Sequence, residues 1–414
     1  MHQSSSSLLI LILFVFSTII NGHQYTFDWK KLPKVNHLLE KFTNETNTPC
    51  LIAGIRVGDL NGGWVEWTGS FGSYADIENN IRCSSQTMLK VASVSKAIGS
   101  ALIARLVEQG KLSWDLDISH YIPKDLFPKK TYANKTVNIT LRQLITHQSG
   151  IRHSNDKDFM HDWEFRIKNS TQLLSWFADD PLLFEPGHGY HYSNNGWSLI
   201  GAIVESIENR PYHLVLEDFM RNIIGMPSAT SESRDHLIMN HGQQYRIVDG
   251  NVLPPNIVDI LRPYPHWPAG GVVARIEDLL IYGQQMLSSY NSFQSNGKSI
   301  LKQSTINEMW NYHNSNVSIN EETMKIFNEI IHKIKFRYVM GWQRRDFPTD
   351  IQHKHFSILN ELYYLSHTGE IGSANAKLAI FPTFNFTFAI ITNRGSLKNH
   401  MDRLAIETLY YLFS

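Results

Sequence analysis

Cysteine is nearly absent from this chain. Only Cys50 and Cys83 occur among 414 residues, which excludes a disulfide-built scaffold and leaves two states, one bridge or two buried thiols. Charge of one sign is missing too. Lys plus Arg and Asp plus Glu both total 38, for a formal net charge of zero. With no basic tail or charged block, nucleic acid and anionic membrane surfaces are not expected as partners. No internal repeat is visible, and the one low-complexity stretch is Ser4 to Ser7. No H-E-x-x-H occurs, and His353-Lys-His355 brings no carboxylate with it. The 19 histidines therefore give no sign of a metallo-hydrolase, and neither metal nor other cofactor is expected. No G-x-S-x-G elbow occurs, which removes the α/β-hydrolase route to a nucleophilic serine.

What is present starts with an apolar run, Leu8 to Ile20, followed by Asn21-Gly22-His23. The run is short for a membrane span and of signal-peptide length, with Gly22 small enough to precede a cleavage site. It lacks the arginines of a mitochondrial presequence, and also the Lys or Arg that usually precedes a signal core. Residues 1–22 are expected to be a signal peptide, with the mature chain secreted and without a stable membrane anchor. The alternative is a signal-anchored protein of the secretory pathway. Six N-x-S/T sequons, at Asn44, Asn134, Asn138, Asn169, Asn316 and Asn385, agree with that route, though each alone is weak.

Hydrophobic content of 42% against 18% charge is that of a globular protein. Helical periodicity marks 29–42, then 93–109, 140–148, 195–208 and 276–288, and finally 403–413. Strand patterns mark 51–57, 64–68, 361–367, 375–381 and 386–392, with Asn61-Gly62-Gly63 as a hairpin signal. Strands at both ends and helices between them predict an α/β sandwich. One antiparallel sheet is built from both chain ends and flanked by terminal helices, with a helical lobe inserted. A cleft between the lobes is the expected ligand site.

S-x-x-K occurs four times, at Ser93-Lys96, Ser154-Lys157, Ser295-Lys298 and Ser299-Lys302. The last three sit in polar, turn-rich surroundings. Ser93 opens a stretch, Ala97 to Val107, that is apolar nearly all round, with Gly110 placed to end the helix. Such a helix is buried, so Lys96 enters a core, and three residues of spacing let its amine reach the Ser93 hydroxyl. Burial lowers a lysine pKa, and a neutral lysine beside a serine makes an activated nucleophile. The bland reading is a serine cap followed by a snorkelling lysine. Two further stretches weigh against it. Tyr192 and Asn194 stand just before an apolar helix, where a phenol could relay protons. Ser366-His-Thr-Gly369 ends a predicted strand and offers a following backbone N–H as an oxyanion donor.

In this order, Ser93-x-x-Lys96, Tyr192-Ser-Asn194 and His367-Thr-Gly369 resemble the motifs of the serine β-lactamase and penicillin-binding-protein superfamily, in the Y-x-N form of its class C and esterase branch. Leu106 to Leu112, Thr140 to His153 and Ala269-Gly-Gly-Val-Val273 extend the resemblance. It implies a single domain over 23–414, with a sheet lobe of 23–92 and 335–414 and a mainly helical lobe of 93–334. It also implies a serine hydrolase acting on an amide, peptide or ester bond of a peptide or small acyl substrate, which the N-terminal run would make a secreted one. Ser93 would form the acyl-enzyme, Lys96 accept its proton, and Tyr192 serve the leaving group and the deacylating water. Asn194 would hold the substrate amide, and His367 and Thr368 would line the substrate strand. The N–H groups of Ser93 and Glu370 would form the oxyanion hole. Two residues depart from the pattern. His367 replaces the lysine that binds a substrate carboxylate in drug-hydrolysing members, and histidine is mostly neutral at pH 7. Glu370 brings a negative charge towards the oxyanion site. These departures motivate a second reading, a weakly active or inactive member with a structural or interaction role, for which the resemblance implies a filament-forming homo-oligomer.

Overall fold

The computed structural model describes residues 17–20, 23–58, 63–155, 158, 167–232, 237–255, 266–291, 299–311, 320–326, 329–347 and 362–413, with backbone alone at 17–20, 23–25, 320–326, 329–334 and 399. Leu8 to Phe16, Asn21 and Gly22, the turn at 61–62, Lys157, Ser295, Lys298, Asn316, the pair His353 and His355, and Glu361 lie outside them.

Ser17–Ile20 (β1) pairs antiparallel with His23–Thr26 (β2). β1 lies within the segment read as a signal peptide, so cleavage after Gly22 would remove β1 and keep β2. Leu32–Glu45 (α1) follows, then Cys50–Gly58 (β3) and Trp64–Gly72 (β4). Val94–Glu108 (α2), Leu141–Ile145 (α3), Asn194–Glu208 (α4), Trp267–Gly270 (α5) and Ile276–Asn291 (α6) belong to the inserted region. The chain then forms Asn320–Ile326 (β5), Glu329–Val339 (β6), Trp342–Asp346 (β7), Tyr363–Ile371 (β8), Ala374–Phe381 (β9) and Phe386–Thr392 (β10), and closes with Lys398–Phe413 (α7). One antiparallel sheet runs β5-β6-β7-β8-β9-β10-β3-β4, so the two chain ends meet at the β10–β3 pair.

The central strands are apolar on both faces because both are covered. Ile52, Leu378 and Ile391 face a core shared with α2, α4 and α6. Leu51, Ile55, Phe381 and Phe388 face a second core with α1 and α7. Each such side chain contributes about 1.5–3 kcal/mol on burial. Close approach of α6 needs Gly54, where a Cβ would lie 2.7 Å from the Leu280 side chain.

Cys50 and Cys83 are joined as a disulfide across a separation of 33 residues. It ties the first residue of β3 to the segment that leads into the nucleophile turn. Closing a loop of that size should stabilise the fold by about 3–4 kcal/mol through the unfolded state. Cys83→Ala is therefore expected to lose about 2–4 kcal/mol in denaturant titration. Equal midpoints for the variant and the oxidised wild type would refute this.

The sheet takes up the chain earlier than the expected boundary at residue 335, because β5 and the part of β6 from Glu329 to Ile334 precede it. The strands were masked by Glu, Lys and Asn, although Ile334-Lys-Phe-Arg-Tyr338 alternates with period two. The His367-Thr-Gly369 triplet is mid-strand rather than at a strand end, since β8 continues to Ile371. The helix expected over 140–148 is a single turn-and-a-half, Leu141–Ile145, started by a capping box between Thr140 and Gln143.

Candidate active site

The first helix of the lobe, α2, is buried on every side from Val94 to Ala104. Ser93 precedes it and its side chain does not cap the helix. Ser95 points elsewhere: its hydroxyl donates to the Ala92 carbonyl at 2.7 Å and accepts from the Val272 N–H at 3.0 Å. The turn before Ser93 is strained, with Ala92 in the left-handed region at φ 50°.

Lys96 does not snorkel; it is fully buried. Its Nζ lies 2.7 Å from the Ala269 carbonyl, 2.9 Å from Asn194 Oδ1 and 3.2 Å from Ser93 Oγ. Burial pushes its pKa well below the ordinary lysine value. A neutral amine has two N–H bonds and one lone pair. The Ala269 carbonyl and Asn194 Oδ1 can only accept, so they take both N–H bonds. In that form the lone pair would be left for the Ser93 hydroxyl, an arrangement in which a base could take a nucleophile's proton.

The Tyr192 hydroxyl is hydrogen-bonded to Ser93, and the Lys96 amine lies 4.8 Å from the centre of the Tyr192 ring. Burial raises the phenol pKa, opposed in part by the bond to Ser93. Tyr192 therefore keeps its proton and is suited to donate one.

The Thr140 to His153 segment has a role that its sequence did not disclose. His147 Nδ1 accepts from the Ser193 N–H at 3.0 Å, the Arg152 carbonyl accepts from Ser193 Oγ at 2.8 Å, and His153 Nδ1 lies 3.1 Å from the Tyr192 carbonyl. Together they cradle Tyr192-Ser-Asn194, while Ser193 Oγ caps α4 through the Gly196 N–H at 2.9 Å. The His147 ring lies 4.3 Å from that of Tyr192. Burial holds His147 well below the ordinary histidine pKa, and a protonated Lys96 would push it the same way. Ala269 likewise acts through its backbone, which side-chain motifs cannot reveal.

The third wall is β8. A Cβ on Gly369 would lie 2.1 Å from the Val91 carbonyl, 2.9 Å from Ala92 Cβ and 3.0 Å from the Ser93 nitrogen. Only glycine lets the strand reach the nucleophile turn. The last β7 partner along β8 is at Ser366, opposite Gln343. Beyond Trp342, the first residue of β7, Thr368 to Ile371 run on without a β7 partner, leaving a backbone edge on which an extended chain could add.

His367 faces the site side and is 1% exposed. Its Nδ1 lies 3.0 Å from the Thr368 carbonyl, and its Nε2 lies 2.9 Å from the hydroxyl of Tyr338 on β6. Thr368 does not present its hydroxyl to substrate. That group turns to the opposite face and meets Lys377 Nζ at 3.1 Å, with Lys377 also bound to Ser366 Oγ at 3.2 Å and Asp402 at 2.6 Å. The Glu370 carboxylate turns the same way and accepts from the Ser396 N–H at 3.1 Å. The feared charge at the oxyanion site is therefore directed away from it.

Of the other S-x-x-K pairs, Ser154 is buried at 9% exposure in the loop after the cradle, and Ser299 and Lys302 are exposed. Among the sequons, Asn44, Asn134 and Asn138 are exposed, while Asn169 and Asn385 are half-buried. Asn169 caps a short helix by accepting from the Gln172 N–H at 3.0 Å.

Sheet and helical lobe together are those of the β-lactamase and penicillin-binding-protein fold. The chain belongs to the family described as Beta-lactamase, whose profile matches residues 40–410. A curated relative, the human protein named serine beta-lactamase-like protein LACTB, mitochondrial, is 27% identical over 417 residues, covering 83% of this chain and 71% of its own length. Among solved structures, the octameric penicillin-binding protein homologue from Pyrococcus abyssi superposes with a TM-score of 0.71 at 18% identity, covering 91% of this chain and 76% of that one. EstCE1, described as a hydrolase with promiscuous acyltransferase activity, has a TM-score of 0.70 at 19% identity, covering 92% and 99%.

Proposed function

We propose that this protein is a secreted serine hydrolase that cleaves an amide, peptide or ester bond through a Ser93 acyl-enzyme. The observation that carries this reading is the fully buried Lys96 amine, whose Nζ lies 3.2 Å from Ser93 Oγ while the Ala269 carbonyl and Asn194 Oδ1 accept from it. Ser93 Oγ attacks the acyl carbon as its proton passes to Lys96. The tetrahedral oxyanion faces the N–H groups of Ser93 and Glu370. The leaving nitrogen or oxygen takes a proton from Tyr192, which is restored from Lys96. Water then attacks the acyl-enzyme by the same path reversed, releasing the acid and the Ser93 hydroxyl. Substrate lies along the open edge of β8, and Asn194 holds its amide when Lys96 shifts during turnover.

Secretion is supported by the Leu8 to Ile20 run, the exposed sequons and the Cys50–Cys83 bridge, which suits an oxidising compartment. One experiment tests both parts. The full chain expressed in a secretory host should appear in the medium, begin at His23 and shift in mass on deglycosylation. A fluorophosphonate probe should label it but not Ser93→Ala. Equal labelling of the two, or no labelling of either, would reject the acyl-enzyme and favour a silent member with a structural or filament-forming role. Retention inside the cell with residues 1–22 in place would reject secretion.

A further inference from the structure

The charges around Ser93 restrict what can be bound there. We propose that Tyr338 is a positioning residue that holds His367 uncharged, so that the site takes acyl substrates with no free carboxylate next to the scissile bond. Esters, internal peptide bonds and amide-capped ends fit this class; C-terminal dipeptides and carboxylated lactams do not. The inference rests on the acyl-hydrolase reading above and narrows its substrate.

The hydrogen bonds determine the state of the ring. The Thr368 carbonyl can only accept, so Nδ1 of His367 carries the proton that meets it at 3.0 Å. A neutral ring then leaves Nε2 as an acceptor, and the Tyr338 hydroxyl at 2.9 Å donates to it. A second proton on the imidazole would have to turn that hydroxyl away, inside a pocket where Tyr338 is 5% exposed. The Tyr338 ring is held edge-on by His147, at 4.5 Å between ring centres.

The surrounding charges act the same way. Burial comes first in disfavouring a further positive charge on His367; Lys96 on α2 adds to it whenever its amine is protonated, and Lys377 on β9 and Lys398 on α7 act in the same direction. Asp402 on α7 is engaged by Lys377 and Arg345. Glu370 on the same strand faces Ser396. Other groups that could receive a carboxylate are also committed. Arg152 is paired with Asp158 at 2.7 Å and Asp180 at 2.6 Å, and the Thr368 hydroxyl faces Lys377. Among the described residues, none of these groups is left to pair with a carboxylate beside the scissile bond, which would lose water uncompensated.

The test is a matched pair of acyl-peptides, ending in a carboxylate or a carboxamide one residue after the scissile bond. Wild type should prefer the carboxamide by at least about tenfold in kcat/KM, with a ratio that is flat from about pH 5.5 to 8 because His367 does not titrate there. Tyr338→Phe should let His367 take a second proton, so that the ratio shrinks at least about threefold as pH falls below about 6.5. The ¹⁵N NMR shifts of the His367 ring should report a neutral Nδ1–H tautomer in wild type and a titrating ring in the variant. His367→Lys should reverse the preference, and it tests the charge argument if Tyr338→Phe does not fold. A wild-type preference for the carboxylate, or a Tyr338→Phe ratio that stays flat with pH, would overturn the inference while leaving the hydrolase reading standing. No turnover of either peptide by a chain that also resists fluorophosphonate would remove the hydrolase reading and this substrate class together.

Discussion

Replacing Lys96 by methionine should lower kcat/KM by about 10³-fold while the protein still folds, since a positioned general base is worth about 10²–10⁴. Methionine keeps the volume and apolar stem but has no lone pair for the Ser93 proton. Wild-type activity should also fall as pH drops through the depressed pKa of Lys96, which lies well below 10.5. Below it the amine is protonated and donates to Ser93 instead of accepting.

The same group affects stability with a definite sign. The unfolded chain binds a proton at Lys96 up to about pH 10.5, while the folded one gives it up earlier. Between those two values the unfolded state holds more protons, so this residue makes stability rise with pH. Lys96→Met lacks that increment. Its Tm relative to wild type should therefore fall as pH is raised from about 7 to 9, measured by calorimetry. A variant with wild-type acylation rates would rule out Lys96 as the base, and a pH-independent Tm difference would rule out a depressed amine.

Gly369→Ala should be nearly as damaging, although it adds one methyl group. The new Cβ would lie 2.1 Å from the Val91 carbonyl, a backbone atom that cannot rotate aside. Either β8 retreats or the turn carrying Ala92 and Ser93 shifts. Both routes change the spacing between the N–H groups of Ser93 and Glu370, where a misplacement of about 1 Å can cost about 100-fold in rate. Overpacking should cost about 1–3 kcal/mol as well. Labelling rate and thermal midpoint, measured on the same preparation, separate the two effects. Wild-type values of both would show that β8 does not touch the nucleophile turn.

Several features could be read from the chain because they depend on local pattern. The all-round apolar character of Ala97 to Val107 announced a buried helix, and that burial made Lys96 more than a snorkelling side chain. Phe386–Thr392 was legible to the residue because turn chemistry bounds it at Pro382 to Asn385. β5 and β6 were not, because their charged residues hide the alternation. Tyr338 was also invisible: nothing near it in sequence marks a residue whose hydroxyl meets a histidine 29 positions away.

By itself the sequence determined which residues make up the three motifs and in what order they occur. Motif spacing on one helix, and apolar patterning around it, act within a few residues and survive without a fold. Only the tertiary structure decided what those residues face. It turned Thr368 and Glu370 to the far side of β8, because neighbours on a strand alternate and Gly369 must take the crowded face. It set the proton inventory of Lys96 by bringing the Ala269 carbonyl and Asn194 to one amine. Charge state and direction at this site are collective properties of segments up to 173 residues apart, so no local reading of the chain contains them.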